Sequence, residues 1–499
     1  MTRGLRRALL LGAIVATLLL RLPGLRAGLV GPDSWRQTDT ATIARNFLDD
    51  PRILWPRINW GAPGPGYVEA EFQLFPYTVS LLYRVLGPHP ILGRLLNLGL
   101  LGLGALVFDR IARRFLDEET SLLAVVIFLM SPVVFRFTRA FMPEATALLF
   151  YLVALERFLA FLDEEAWAPL VLSALAMSLA ILVKPTTIHL GLVLIILAWA
   201  RRGVGVFLKP QMIAFAAISL LPPVAYYTHA AFIHRVYGNT FGVVSGGDSK
   251  WGGPSFWFRA SFYIEILKMH VRWIVGPVGL VLALWGFLRP AQPPWRALAF
   301  GWLTSLGLYD LIVGRYAGEM GKGLHYHIYA APLLALAIAA ALPRSGRYRL
   351  AQAGVLAFLV LGYQAARDVA FLKERSFLLR DTGVALASVS SPDETAVVLS
   401  HDRLLDAGRE NNFEEPDVFF HANRRGRCLP KDHQTGEWLA SALAASGAHY
   451  FVNFPDLNTA ADGTFRDELA LLTKIRAGDG FEIYRVGGLG SVPPSSPPS

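Results

Sequence analysis

Cysteine is almost absent from this chain, and charge is scarce. Cys428 is the lone cysteine among 499 residues, so the chain cannot form an intramolecular disulfide and cysteine use does not report the redox compartment. Charged residues make up 17% of the sequence and hydrophobic residues 54%, which would leave a water-soluble fold with far too much exposed apolar surface. A lipid bilayer is therefore the predicted solvent for most of the chain.

Long apolar runs are abundant instead. Crossing ~30 Å of hydrocarbon takes ~20 apolar residues, and about eleven such spans are predicted. They cover residues 8–22, 91–109, 121–137, 143–161, 167–183, 187–200, 212–232, 270–288, 297–314, 325–342 and 350–366. The first run follows the basic "MTRGLRR" as in a signal peptide, but no clean small-residue cleavage site follows it, so a retained helix is predicted.

The short loops between these spans set the predicted orientation. With the N-terminus inside, the inner short loops carry fourteen Lys and Arg residues and the outer ones five. Positive loops stay on the cytoplasmic side, so the formal charge of +9 is interpreted as a topology signal and not as nucleic-acid binding. The predicted location is the cytoplasmic (inner) membrane, multi-pass, with the C-terminus outside.

Composition predicts a mainly α, polytopic membrane protein with a small extracytoplasmic α/β domain. Residues 1–366 form the predicted transmembrane module, and its first extracytoplasmic loop covers 26–90. Within 367–490, "ETAVVLS" and "AHYFVNF" predict buried strands, and "GEWLASALAAS" predicts a helix before the second strand. Residues 491–499 are too rich in Pro and Ser to pack, which predicts a disordered tail.

Two short helices are predicted in the first loop. "FPYTVSLLYRVLG" is apolar but too short to span, and Pro76 is tolerated in its first turn. "DTATIARNFL" carries Ile43 and Phe47 on one side. Both helices are expected to lie along the membrane interface.

Polar candidates gather at the predicted outer ends of the spans, whereas the inner loops show chiefly Arg apart from two "LDEE" runs. After the first span come Asp33, Arg36, Gln37 and Asp39, with Glu71 later in the same loop; Arg139 and Glu144 open span four, Lys184 lies between spans five and six, and Arg315, Lys322, His325 and Tyr326 lead into span ten.

Each candidate also has a structural interpretation. Asp33 could cap the helix that follows it, and Arg36 and Lys184 could be cations that reach the headgroups. The His and Tyr residues near position 325 could belong to an interfacial aromatic belt. Glu144 is harder to explain in this way, because a carboxylate at a helix mouth is costly to desolvate unless it is paired, and Arg139 is its nearest partner in the sequence.

Acids, cations and aromatics at one membrane face predict chemistry on an amphiphile whose anionic head lies at that depth. Lys184, Arg315 and Lys322 would hold phosphate oxygens through charge-assisted hydrogen bonds. A carboxylate would accept the proton of an incoming hydroxyl. Group transfer from a lipid-linked phosphate is the predicted reaction class.

The same residues resemble a known family. "PDSWRQTDTATIARNFL" is similar to the loop after the first span of the GT-C glycosyltransferases, especially the family-39 branch with the protein O-mannosyltransferases and the lipid A aminoarabinose transferase. Asp33, Arg36, Ile43 and Arg45 match that pattern. "FMPEATALL", "LAILVKPTTI" and "HYHIYAAPLLALA" resemble later motifs in the same order, and the resemblance covers nearly all of residues 1–366.

The chain departs from the family pattern at several points. Ser34 replaces the usual Glu after the Asp, and "QTD" adds about one helical turn before the amphipathic helix, so the comparison does not set the role of Asp39. The Lys expected late in the first loop has no match in "VEAEFQLFPY", where Glu69 and Glu71 are candidates for contact with sugar or acceptor. Pro185 follows the turn lysine directly.

The resemblance implies sugar transfer, with inversion, from a polyprenyl-phosphate donor to an acceptor hydroxyl on a protein, lipid or glycan. Asp33 would be the general base, and the other candidates would bind substrate. The lack of a phosphate-cradling Gly-rich motif agrees with a donor that is not a nucleotide sugar. No metal is assigned; the carboxylates of Asp33, Asp39 and Glu144 could hold a divalent ion, although the family branch is not generally metal-dependent.

Two other classes stay open at the level of sequence. A transporter or flippase of a lipid-linked sugar would also place polar residues near helix ends, but such sites usually lie near the bilayer midplane between repeated halves, and the chain shows no internal repeat. A scaffold or receptor whose C-terminal domain binds a ligand leaves the clustered acids unexplained. No motif identifies the sugar, the acceptor or the oligomeric state.

Overall fold

The computed structural model describes residues 2–31, 33–61, 64–244, 257–274, 276–289, 293–313, 323–342, 374–406, 409–410, 412–431, 439, 442–444, 446–460 and 463–486. The predicted span 350–366, the predicted tail and most of the predicted helix at 436–446 lie outside these residues. The chain forms two compact units. The helical unit comprises Met1–Ala27, His89–Tyr227 and Lys250–Ala370, and the sheet unit comprises Gly28–Pro88, Thr228–Ser249 and Phe371–Ser499.

Helices dominate the described residues. In chain order they are α1 (Arg3–Leu19), α2 (Ser34–Asn46), α3 (Leu74–Leu86), α4 (Ile91–Ala112), α5 (Glu118–Met130), α6 (Pro132–Phe137), α7 (Glu144–Glu164), α8 (Trp167–Val183), α9 (Leu190–Arg202), α10 (Pro210–Tyr237), α11 (Ala260–Met269), α12 (Gly276–Leu288), α13 (Pro293–Val313), α14 (Ala330–Ala341), α15 (Glu374–Val389), α16 (Pro416–Ala422) and α17 (Gly463–Leu471). Short 3₁₀ turns cover Pro185–His189, Val204–Leu208, Leu324–His327 and Pro455–Ala460, and a π turn covers His270–Ile274.

Four described helices are long and apolar enough to cross a bilayer: α4, α7, α10 and α13. The bent pair Ala260–Ile274 and Gly276–Leu288 would make a fifth span. Each predicted span from 8–22 to 325–342 overlaps a helix, but several of these helices are shorter than a full crossing. A mainly helical membrane protein with a small sheet is confirmed, whereas the count of eleven spans is not established.

Ion pairs join the helix ends that the charge pattern assigns to the cytoplasm. Asp163, near the end of α7, pairs with Arg114 after α4 and with Arg201 in α9. Glu165 pairs with Arg202 in the same way. The acids of the second "LDEE" run are therefore partners of the inner arginines, which accounts for acidic residues in loops that otherwise carry positive charge.

The sheet unit is built on five strands in the order β4-β1-β5-β7-β6. The strands are β1 (Thr395–Leu399), β4 (Arg425–Leu429), β5 (Tyr450–Asn453), β6 (Thr473–Gly478) and β7 (Phe481–Arg485), and a separate two-stranded pair is formed by β2 (Leu405–Asp406) and β3 (Arg409–Glu410). β1 runs parallel to β4 and β5, whereas β7 is antiparallel to β5 and β6. Alternate residues of β1 enter two different apolar cores, one on each face. The strands predicted from "ETAVVLS" and "AHYFVNF" are confirmed as β1 and β5.

Helix α2 packs inside the sheet unit. Ile43 and Phe47 are 2% and 1% exposed, and they share an apolar core with residues of β1 and α16. The guanidinium of Arg45 lies 4.5 Å from the ring centre of Phe420 in α16. The expectation that Ile43 and Phe47 contact the membrane is therefore wrong, because helical periodicity predicts a buried face without telling whether protein or lipid covers it.

Helix α3 is confirmed where the sequence predicts it. Phe75, Val79 and Tyr83 are buried on one side of the helix, whereas Val85 and Leu86 are 81% and 56% exposed. The exposed apolar end leaves contact with the membrane interface as a prediction for this helix.

Candidate functional site

Asp33, in the sheet unit, is the N-cap residue of α2. The backbone N–H of Gln37 donates to the carbonyl oxygen of Asp33 at 3.0 Å, which starts the helix. The Asp33 side chain makes no capping hydrogen bond to α2, and the residue is half-buried, whereas Gln37 is buried one turn further on. Helix capping is therefore not what this side chain does here.

Arg36, in the first turn of α2, pairs with Glu71. Their closest atoms, Nη2 and Oε2, are 2.5 Å apart, and the two side chains are 17% and 9% exposed. The guanidinium also lies 4.9 Å from the ring centre of Phe241. The structure thus brings together two candidates that lie 35 residues apart in the sequence, and the low exposure makes this a strong charge-assisted contact.

Asp39 is enclosed in the same unit. Its side chain is fully buried, and the indole N–H of Trp60 donates to Oδ1 at 2.7 Å. Burial raises the pKa of Asp39 well above its usual range; the Trp60 hydrogen bond and the charge of Arg36 oppose this, and the carboxylates of Glu414 and Asp417 add to it. The enclosed carboxyl group holds the Trp60 indole in place, which is a structural role.

The carboxylate of Glu69 accepts hydrogen bonds from residues of the sheet unit. Its carboxylate accepts hydrogen bonds from the backbone N–H of Val244 at 2.8 Å, from that of Val243 at 3.3 Å and from the hydroxyl of Thr240. Glu69 therefore fixes the segment after α10 to the first loop, which is a structural role.

A second acid with a raised pKa lies beside α2. The indole N–H of Trp35 donates to the backbone carbonyl of Glu414 at 2.9 Å. The Glu414 residue is half-buried, but its Oε2 is enclosed and has no hydrogen-bond partner among the described residues. Burial raises the pKa of Glu414 to about 7, and the neighbouring carboxylate of Glu415 contributes to the rise.

We expect the Glu414→Gln variant to be more stable than the parent above neutral pH. The pKa of Glu414 is about 7 when folded against a usual 4.5, so the folded state prefers the protonated acid. The stabilisation from this proton is fully present below the unfolded pKa. As the pH rises through the folded pKa it is lost, and the free energy of unfolding falls by at most roughly 3 kcal/mol. Thermal unfolding midpoints followed from about pH 5 to about pH 8 check this. The exposed acid Asp393, changed to Asn, is the control and should keep the parental pH slope, whereas equal slopes for parent and Glu414→Gln would contradict the prediction.

In the helical unit, Glu144 and Lys184 form a buried ion pair. Glu144 is the first residue of α7, and Lys184 directly follows α8. Nζ lies 3.0 Å from Oε1, and the side chains are 2% and 1% exposed. The predicted pairing of Glu144 with Arg139 is wrong: the Arg139 guanidinium donates instead to the carbonyl oxygen of Pro23 at 3.0 Å.

Two aromatic candidates lie next to this pair. Nζ of Lys184 is 5.7 Å from the ring centre of Tyr326. The ring of His325 is 4.2 Å from that of Tyr326 and 5.7 Å from that of Phe137. The helical unit therefore gathers Glu144, Lys184, His325 and Tyr326, as their shared position at outer span ends predicts. Arg315 and Lys322 lie outside the described residues.

A His–Asp–His group that sequence reasoning missed lies in the same unit. Asp310 in α13 is flanked by His270 of the π turn and His327 of the turn before α14; Nε2 of His270 is 2.9 Å from Oδ2, and Nδ1 of His327 is 2.9 Å from Oδ1. The available signal was Asp310 itself, because an acid inside a predicted span is a candidate for function.

Comparisons with known proteins agree with this architecture. Residues 73–227, less than half of the chain, match the family model described as dolichyl-phosphate-mannose-protein mannosyltransferase. No relative is found among curated proteins.

Solved structures match over nearly the whole chain. ArnT from Cupriavidus metallidurans is 15% identical with a TM-score of 0.65, and the match covers 97% of this chain and 99% of that protein. The oligosaccharyltransferase of Archaeoglobus fulgidus is 12% identical with a TM-score of 0.59, covering 95% of this chain and 73% of that one. The arabinofuranosyltransferase AftD from mycobacteria is 16% identical with a TM-score of 0.56, covering 98% of this chain and 40% of that one. The family model and these structures agree with the resemblance that the sequence motifs indicate, and the chain shares the fold of the three solved structures.

Proposed function

We propose that this protein is an inverting glycosyltransferase that moves a sugar from a polyprenyl-phosphate donor to a hydroxyl of a protein, lipid or glycan. Asp33 is the general base. The transfer takes place at the outer face of the cytoplasmic membrane. The GT-C fold and the matching family model support the enzyme class.

Differences in burial among the acids carry the assignment of Asp33. Asp39 and Glu144 are 0% and 1% exposed, and each contacts a named partner, Trp60 or Lys184. Asp33 is half-buried at the start of α2. A general base has to come within hydrogen-bond reach of the acceptor hydroxyl, and among these three carboxylates the accessible one is that of Asp33.

The proposed reaction is a direct displacement. The carboxylate of Asp33 takes the proton of the acceptor hydroxyl while the acceptor oxygen attacks the anomeric carbon from the face opposite the phosphate. The bond between the anomeric carbon and the phosphate oxygen breaks, and its electron pair leaves with the polyprenyl phosphate. Phosphate is a good leaving group, so positioning and cations beside the departing charge lower the barrier most.

The proposed phosphate contacts come from the helical unit and the segment before α14. Lys184 would share its positive charge between Glu144 and a phosphate oxygen, and His325 and Tyr326 lie beside it. Arg315 and Lys322 precede the same turn in the sequence. In the sheet unit, Arg36, Gln37 and Glu71 are proposed sugar or acceptor contacts.

Transfer and transport are separated by one reconstitution experiment. Purified protein in liposomes is given a radiolabelled polyprenyl-phosphate sugar together with a short-chain alcohol or envelope extract as acceptor. Label in a new covalent product supports the proposal. Label that crosses the bilayer while it remains on the lipid would instead support a flippase.

We expect cysteines placed in the first loop and in the C-terminal part of the sheet unit to react with an impermeant reagent on intact cells or spheroplasts. Ser34 is 7% exposed and unsuitable, so Asp49→Cys and Ser391→Cys, both at exposed positions, are used in a Cys428→Ser background. The variant Arg110→Cys, at an exposed position in the last turn of α4, which is its proposed cytoplasmic end, should react after permeabilisation alone. The reverse pattern would invert the proposed topology.

A further inference from the structure

His270, Asp310 and His327 have the composition and spacing of a metal site. Their three ligand atoms all lie within 4.8 Å of one another, and each comes from a different element of the helical unit. The geometry points to a Zn²⁺ ion bound by Nε2 of His270, the carboxylate of Asp310 and Nδ1 of His327. The binding does not depend on the proposed transferase reaction.

The two contacts of Asp310 have the same length but differ in geometry. His270 Nε2 and Oδ2 have hydrogen-bond geometry at 2.9 Å. His327 Nδ1 lies at the same distance from Oδ1, yet Oδ1 has no hydrogen-bond partner among the described residues. The Asp310 carboxylate thus lies 2.9 Å from two imidazole nitrogens, and this set of nitrogen and oxygen donors suits a transition-metal ion.

The spacing fits a first-row transition ion. Nitrogen and oxygen ligands at ~2.0–2.2 Å from Zn²⁺ in a tetrahedron are ~3.3–3.6 Å apart. The two nitrogen–oxygen distances of 2.9 Å would have to lengthen by well under ~1 Å to reach this spacing. No ligand atom of the group lies more than 4.8 Å from another. Imidazole donors favour Zn²⁺ over Mg²⁺ or Ca²⁺, which prefer all-oxygen sites.

The three side chains of this group differ in their exposed fraction. His327 is 3% exposed, Asp310 12% and His270 18%. Three protein ligands leave one position of a tetrahedral ion for water or another oxygen ligand. The ion would fix the end of α13 and the π turn to the segment that carries His325 and Tyr326.

Metal content of the full-length protein tests the inference. The chain in lipid nanodiscs is stripped with chelator, incubated with Zn²⁺, desalted and measured by mass spectrometry, with Co²⁺ substitution as an optical probe of tetrahedral coordination. We expect one Zn²⁺ per chain. His270→Ala, His327→Ala and Asp310→Asn should each weaken binding at least ~100-fold, since loss of an outer-shell partner alone costs ~10–100-fold. His325→Ala and His229→Ala are the matched controls and should keep one equivalent.

Two results would overturn the assignment: parent protein that retains no Zn²⁺, or variants of the triad that retain as much as the parent. Asp310→Asn keeps the size of the side chain and can still hydrogen-bond to both histidines, so it remains informative if an alanine variant does not fold. Because the measurement is metal content, a chain that binds Zn²⁺ but transfers no sugar would contradict the proposed function and leave this inference intact.

Discussion

Asp33→Asn is expected to lower the rate of sugar transfer by ~10²–10⁴-fold, the usual contribution of a general base. The amide keeps the size of the carboxylate and can still cap a helix, but it cannot take a proton from the acceptor. Because the Asp33 carboxylate makes no capping hydrogen bond to α2, the variant should not show the loss of ~1 kcal/mol that removal of a helix cap costs, and thermal unfolding checks that it is folded. The measurement is the initial rate of product formation at saturating donor.

Two acids of the same loop are matched controls for Asp33. Asp49 is exposed, and Asp49→Asn should transfer at the parental rate. Asp39→Asn replaces a fully buried acid with an amide whose oxygen can still accept the Trp60 hydrogen bond, so a folded variant should lose far less than Asp33→Asn. Parental activity in Asp33→Asn together with inactivity in a folded Asp39→Asn would move the base to Asp39.

The sequence predicts the positions of the helices and strands better than it predicts which of them pack together. Apolar runs located α4, α7, α10 and α13, and short β-rich runs located β1 and β5. The break between α5 and α6 at Ser131 and Pro132 was not predicted, although proline cannot continue the hydrogen-bond ladder of the helix before it.

The sequence predicts the wrong partner for Glu144, because closeness in the sequence does not report how helices pack. α7 and α8 are joined by two residues, Glu165 and Ala166, so the two helices run antiparallel and the start of one lies beside the end of the other. This antiparallel packing brings Lys184, at the end of α8, next to Glu144, at the start of α7. Arg139 stands before the turn into α7 and donates to Pro23.

The His–Asp–His group shows a different limit of sequence reasoning. Its members are separated by 40 and 17 residues and come from a π turn, a helix and a 3₁₀ turn. No periodic spacing links them, so composition could single out Asp310 but not its two histidines. The sequence also does not predict the contacts of α2, because an apolar helix face does not identify whether protein or lipid covers it.

Single substitutions in the buried pair are expected to destabilise the protein strongly. Glu144→Gln leaves the Lys184 ammonium without its carboxylate, and Lys184→Gln leaves the carboxylate without its cation. Removing one partner of a buried pair typically costs ~3–5 kcal/mol, because an uncompensated charge remains. The double variant Glu144→Gln/Lys184→Gln carries no charge and should be destabilised by less than the sum of the single changes. Denaturant unfolding in detergent measures the four free energies of this cycle.

The same cycle separates a structural role of Lys184 from a role in donor binding. If Lys184 also contacts the donor phosphate, the double variant should bind donor more weakly than Glu144→Gln, which keeps the lysine. A hydrogen bond to a charged group is worth ~1.5–3 kcal/mol, so the KM for donor should rise by ~10–100-fold. Acceptor KM should not change, because the phosphate leaves with the lipid. Equal donor KM in the two folded variants would restrict Lys184 to neutralising Glu144, and the phosphate would then depend on cations outside this pair.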